Sequence, residues 1–194
     1  DVVGQAGDGA EALRVILAEQ PDLLLLDLHL PDMDGFTIIE TVRKVLPDLR
    51  IIAITSARGD YTLYRVERAG IHGFVDKNAN SLESLHEAIE KVAAGKRYLA
   101  PSYEKAKAKR IANPSSFDKV LTERERVVLA LIGQSFSDDE IAGKLSISEN
   151  TAATFRGRIM KKLNVHSTPK LIRFAIDQGF TQVSAPGDGG PAFS

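Results

Sequence analysis

The chain contains no cysteine, which excludes disulfides and thiolate metal sites and is compatible with the cytoplasm, the location we expect. No apolar run approaches the roughly 20 residues that a membrane-spanning helix needs. Nor does either sign of charge dominate, since the formal net charge is −1 over 194 residues. That balance hides a division. Residues 1–98 carry 11 Lys and Arg against 16 Asp and Glu, a net of −5, whereas residues 99–194 carry 14 against 10, a net of +4. An acidic half joined to a basic half suggests two tasks, with a polyanion as the partner of the second.

What is present is ordinary globular material, 43% hydrophobic and 26% charged, enough for one large or two small domains. The most informative stretch is the leucine run Leu23–Leu26 followed at once by Asp27. Four consecutive leucines suit a strand buried on both faces, as in a parallel sheet flanked by helices. Ligands of open α/β sheets sit just past the carboxyl ends of the strands, which is where Asp27 falls. Pro31, Asp32, Asp34 and Gly35 then break the strand into a turn.

Around that run the first half alternates short apolar segments with amphipathic ones, the βαβα pattern of a doubly wound sheet. Val2 and Val3 read as the remnant of a strand. Asp8 and Glu11 form a capping pattern for a helix that Pro21 stops. Helices are expected near 36–46, 60–69 and 81–94, with strands at 51–54 and 73–75 between them. Gly95 serves as the C-cap of the last helix. The stretch 99–118, with Lys105, Lys107, Lys109 and Arg110 among alanines and then Asn113 to Ser116, reads as a linker whose basic residues form a solvated helix face.

From Leu121 the pattern is wholly helical. Thr122 with Glu125, and Ser137 with Glu140, are capping boxes. Ser148 opens a third helix, Thr168 and Pro169 a fourth. The Gly- and Pro-rich residues 182–194 are expected to be a disordered tail.

Both halves, in this order, resemble response regulators of the NarL/LuxR family. The resemblance implies an α/β, flavodoxin-like receiver over 1–98, a linker over 99–118 and an all-α, four-helix helix-turn-helix domain over 119–181. In the receiver, Asp27 matches the phospho-acceptor, Thr55 the switch hydroxyl, Lys77 the phosphate-pairing lysine and Phe74 the aromatic switch position. The family's receivers hold Mg²⁺ with an acidic pair at the end of a first strand. Here that strand and the helix after it have no counterpart, because the opening residues match the second strand. The incomplete receiver is expected to be the front-shortened part of a longer one, with its core leucines and strand edges exposed. Asp27 and the backbone carbonyl of His29 remain as metal ligands, and the His29 side chain is expected to sit in solvent.

In the second half, the resemblance places the recognition helix at 149–163. Its expected DNA-facing residues are Asn150, Thr151, Ala153, Thr154, Arg156 and Arg158, with Lys161 and Lys162 near its end. The family's usual valine-lysine pair is replaced by Ala152 and Ala153, its usual histidine by Phe155, and an often basic position by Gly157. The final helix resembles the family's dimerisation helix, with Leu171, Phe174 and Ala175 on one face, a face that packing within the domain would equally require.

The implied activity is that of a DNA-binding response regulator and not of an enzyme. A sensor histidine kinase or a small phosphodonor would phosphorylate Asp27, and the chain would bind double-stranded DNA as a homodimer. The alternative is a regulator that binds DNA independently of phosphorylation. A phosphohydrolase using Asp27 would need a second acid two residues on, where this chain has His29. A protein-binding adaptor remains as a further class.

Overall fold

The computed structural model describes residues 1–56, 59–79 and 82–181, so the expected tail at 182–194 lies outside the described residues. These divide into two compact units, the first chiefly of residues up to Lys109 and the second chiefly from Arg110 onward.

The first unit is built on four parallel strands in the order β1 (Leu23–Asp27), β2 (Arg50–Thr55), β3 (Gly73–Asp76) and β4 (Tyr98–Leu99). Parallel neighbours require crossovers, and helices α1 (Gly9–Glu19), α2 (Gly35–Val45), α3 (Asp60–Arg68) and α4 (Leu82–Ala93) alternate with the strands. The side chains obey the two-residue period of a strand. Ile51 and Ala53 point into one core with Ile16, Ile38, Ile39, Val42 and Val66. Ile52 points to the other face, where Ala88 and Val92 of α4 cover it. Asp8 caps α1 by accepting from the Glu11 N–H, and Gly95, at φ +76°, follows α4 in the left-handed conformation.

At the front of this unit the strand expected at Val2 and Val3 fails, whereas the expected exposure of the leucine run holds. Val2 and Val3 join no strand and stay exposed. In β1 only Leu26 is fully buried, while Leu25 is 41% exposed. β1 pairs with β2 alone, so its outer edge is unpaired among the described residues.

Residues 101–112, read from the sequence as connecting material, form helix α5 (Pro101–Ala112). Most of its residues are exposed, including Lys105 and Lys109, but Tyr103 is buried in the first core beside Ala100, and Arg110, expected on the solvated face, is buried in an ion pair with Asp118. β4 carries the chain there, with the Ala100 N–H donating to the Phe74 carbonyl at 3.1 Å.

The second unit holds α6 (Phe117–Val120), α7 (Glu123–Gly133), α8 (Asp138–Leu145), α9 (Glu149–Lys162) and α10 (Thr168–Asp177). Both expected capping boxes are present, Thr122 with Glu125 and Ser137 with Glu140. Ser148 caps α9 by accepting from the Thr151 N–H. Leu171 and Ala175 of α10 are fully buried within the unit and Phe174 is half-buried, so packing inside the domain claims most of that face.

Candidate functional site

Parallel pairing brings the ends of adjacent strands to one edge of the sheet. Asp27 is the last residue of β1, Thr55 the last of β2, and Lys77 follows β3 directly; the ladders pair Asp27 with Ile54 and Thr55 with Asp76. Lys77 Nζ reaches Asp27 Oδ2 at 2.5 Å. The other oxygen of Asp27 accepts from the His29 N–H at 3.0 Å. The carboxylate is 28% exposed, open enough to meet a reagent yet braced on both oxygens.

The turn after Asp27 is shaped by Gly35. A Cβ there would lie 2.7 Å from Leu28 Cα and 2.8 Å from the Asp27 carbonyl oxygen, closer than any side chain can come. The loop therefore closes against the strand end, held by the Gly35 N–H donating to the Leu28 carbonyl and by an isolated bridge between His29 and Asp34. Asp34 caps α2 and pairs with Arg65 at 2.5 Å. Asp32 accepts from the Gly9 and Ala10 N–H groups at the start of α1, and these bonds, the Gly9 one foremost, hold its carboxyl below the ordinary range.

Thr55 is fully buried, and its hydroxyl lies 2.9 Å from His29 Nδ1. This corrects the expectation of a solvated His29: its side chain is 22% exposed and turned inward. Burial is the main cause that lowers its pKa; the nearby Asp27 and Asp34 carboxylates oppose the shift, and Lys77 adds to it. Phe74 stands inside β3, 2% exposed, with its ring centroid 5.4 Å from that of Tyr103. The sequence reading missed Tyr103. Its signal was a lone aromatic in an otherwise polar, alanine-rich helix.

Mg²⁺ takes oxygen ligands and keeps several waters. Asp27 and the His29 carbonyl are donors of that kind, although no group of three or more His, Asp or Glu side chains is arranged around a metal position among the described residues. One carboxylate and one carbonyl fit such an ion when phosphate and water complete its shell.

On α9 the expected DNA-facing residues separate into two sets. Asn150, Thr151, Ala153, Thr154, Arg158 and Lys161 are exposed. Arg156 instead donates from Nε to Asp138 Oδ1 at 2.8 Å and from a terminal nitrogen to the Phe136 carbonyl, bracing α9 against the start of α8. Lys162 is exposed as a residue, yet its ammonium reaches the buried Glu125 at 2.8 Å. Helical phase explains Arg156. Arg156 is four residues after buried Ala152 and three before buried Ile159, so it lies on the inward stripe.

Comparison with known proteins agrees with both halves. Residues 2–90 match the response regulator receiver domain, and residues 119–175 match the luxR family of bacterial regulatory proteins. The chain is 31% identical to the oxygen regulatory protein NreC of Staphylococcus carnosus, over 91% of this chain and 85% of that one. It is 30% identical to the response regulator VraR of Staphylococcus aureus, over 94% of this chain and 87% of that one. Among solved structures it is similar to RcsB of Salmonella enterica serovar Typhimurium bound to promoter rprA with the phosphomimetic BeF₃⁻. That likeness has a TM-score of 0.64 and 27% identity, and covers 90% of this chain and 84% of RcsB. No helix among the described residues is long and apolar enough to cross a membrane. With a receiver fold in front and a luxR-type helical domain behind, the chain belongs to the NarL/LuxR family of response regulators.

Proposed function

We propose that Asp27 accepts a phosphoryl group from a sensor histidine kinase or a small phosphodonor, and that the modification controls binding of the α9 face to promoter DNA. The observation that carries the first part is the Asp27–Lys77 pair at the strand ends, with the Thr55 hydroxyl one strand away. A carboxylate oxygen of Asp27 attacks phosphorus, the bond from phosphorus to the leaving group breaks, and the acyl phosphate forms. Lys77 then transfers its pairing from the carboxylate to the phosphoryl oxygens as a compact point charge. Asp27 and the His29 carbonyl would hold Mg²⁺, which supplies neutralising charge when bound. The Phe74–Tyr103 contact gives the site a packing route to α5.

In the helical domain, Asn150, Thr151, Ala153, Thr154, Arg158 and Lys161 form the surface offered to a major groove of double-stranded DNA. Arg158 supplies the guanine-reading fork and Lys161 a phosphate contact. A homodimer would present two such helices to paired half-sites. Arg156 and Lys162 act within the domain as braces.

The test is the intact mass of the full chain before and after incubation with a small phosphodonor and Mg²⁺. One phosphoryl increment that Asp27→Asn abolishes supports the assignment. No increment on the unsubstituted chain, together with unaltered promoter binding, would instead support control that is independent of phosphorylation.

A further inference from the structure

The bond between Thr55 Oγ1 and His29 Nδ1 sets up a competition at the site when Nδ1 is the acceptor. A threonine hydroxyl has a single proton to donate. If that proton is given to the His29 ring, it is not available to a phosphoryl oxygen on Asp27. The ring is well placed to hold it. Its backbone is tied to Asp27 Oδ1 through the His29 N–H at 3.0 Å and to Asp34 through the isolated bridge. Its Nδ1 lies 2.9 Å from the hydroxyl and 3.8 Å from Asp27 Oδ1, so the ring stands close to both groups. Thr55 itself is fully buried, so the hydroxyl is held inside the fold and not by bulk water.

We infer that His29 is a positioning residue that retains the Thr55 hydroxyl in the resting receiver, so that a phosphoryl group on Asp27 must capture the hydroxyl from the imidazole ring. The inference rests on Asp27 being the acceptor. It gives the residue two places after Asp27 a side-chain role separate from that of its carbonyl. The two hydroxyl bonds exclude each other, so the His29 bond opposes the phosphorylated arrangement by about the net worth of one hydrogen bond, roughly a fivefold bias.

Two measurements on the full chain test this. The first needs no phosphoryl group. Long-range ¹H–¹⁵N correlation spectra of the His29 ring should show its proton on Nε2 with Nδ1 as acceptor, and Thr55→Val should shift the Nδ1 resonance. A proton on Nδ1, or no response to Thr55→Val, overturns the inference. The second is titration with beryllium fluoride and Mg²⁺. His29→Leu should bind about fivefold more tightly than the unsubstituted chain, as expected for one lost hydrogen bond. His29→Asn, whose Oδ1 can take the place of Nδ1, should restore the original affinity. Equal affinity in all three, or a weaker His29→Leu, overturns the competition. If no protein binds the phosphomimetic, the unsubstituted chain included, then the acceptor role of Asp27 fails and the competition with it, while the ring spectrum still reports the resting bond.

Discussion

The sheet edge and helix α9 solve the same problem, gathering polar residues on one surface, by different geometries. At the sheet edge the register does the gathering. Asp27, Thr55 and Lys77 are 28 and 22 residues apart in sequence, yet parallel pairing makes their strand ends neighbours. On α9 the residues are already adjacent in sequence, and helical phase separates them. Arg156 and Arg158 are two positions apart and face different environments, one an aspartate and the other solvent. Strand ends thus converge whatever lies beside them, whereas membership of a helix face depends on the carboxylates the neighbouring helices present.

The strongest way to break this comparison is at Glu125. It is 4% exposed, caps α7 through Thr122 and receives Lys162 from α9. Burial works against its charge, but the bonds from Lys162 and Thr122 outweigh it and keep the carboxyl below the usual range. Glu125→Ala removes the cap and strands the Lys162 ammonium. The expected loss is about 2–3 kcal/mol in urea unfolding, below the full cost of a buried pair because Lys162 is partly exposed. A loss no greater than that of a surface substitution would return Lys162 to the DNA-facing set.

A sharper and smaller effect separates the two arginines. Arg158→Ala should weaken binding to a promoter fragment by about 1–3 kcal/mol and reduce the salt slope by about one. Arg156→Ala should leave that slope unchanged and lower the stability of the helical domain by about 1 kcal/mol, the worth of a half-buried, hydrogen-bonded pair. Titration at several salt concentrations, with urea unfolding of the same proteins, distinguishes them. If both variants lose binding and neither loses stability, the inward stripe on α9 has been misread.

Legibility followed the same division. The leucine run, its terminal Asp27 and the later strand ends could be read because a strand's last residue identifies itself by the turn that follows. The caps were equally plain, since Thr122 with Glu125 and Ser137 with Glu140 are local and each satisfies N–H groups that have no helical partner. What escaped were contacts between elements distant in sequence. His29 was placed in solvent because nothing near it in sequence reveals that Thr55, 26 residues on, would offer a hydroxyl. Tyr103 sat in a basic, alanine-rich stretch whose composition resembles a linker, and only the short β4 strand carries it over Phe74. Arg156 is the instructive case, because its phase relative to Ala152 and Ile159 was visible in the sequence while the Asp138 carboxylate that it meets belongs to another helix.

The smallest predicted effect comes from the opposite end of the same ladder. There, register makes neighbours of residues with no reactive role. His72, just before β3, accepts a hydrogen bond at Nδ1 from the Ile51 N–H at 3.1 Å, which requires an unprotonated nitrogen. Burial lowers its pKa below the ordinary 6.5, and the charges of Arg43, Arg97 and Arg50 lower it further. The unfolded chain, free of these neighbours, takes up the proton first as pH falls. Between 6.5 and the lower folded value the unfolded state therefore binds more protons, and stability declines through that window. Above pH 6.5 the contribution is complete and flat; below the folded value the loss ceases to grow. Urea midpoints at about pH 7.5 and 5.5 for the unsubstituted chain and for His72→Gln isolate this residue from His29, which shifts in the same direction in both proteins. The unsubstituted chain should lose more stability than the variant on acidification, by less than the roughly 1 kcal/mol of one backbone hydrogen bond. Equal losses would mean that folding does not disfavour a proton on His72. Register would then bring Ile51 and His72 together at that end of the sheet without tying the stability of the ladder to their bond.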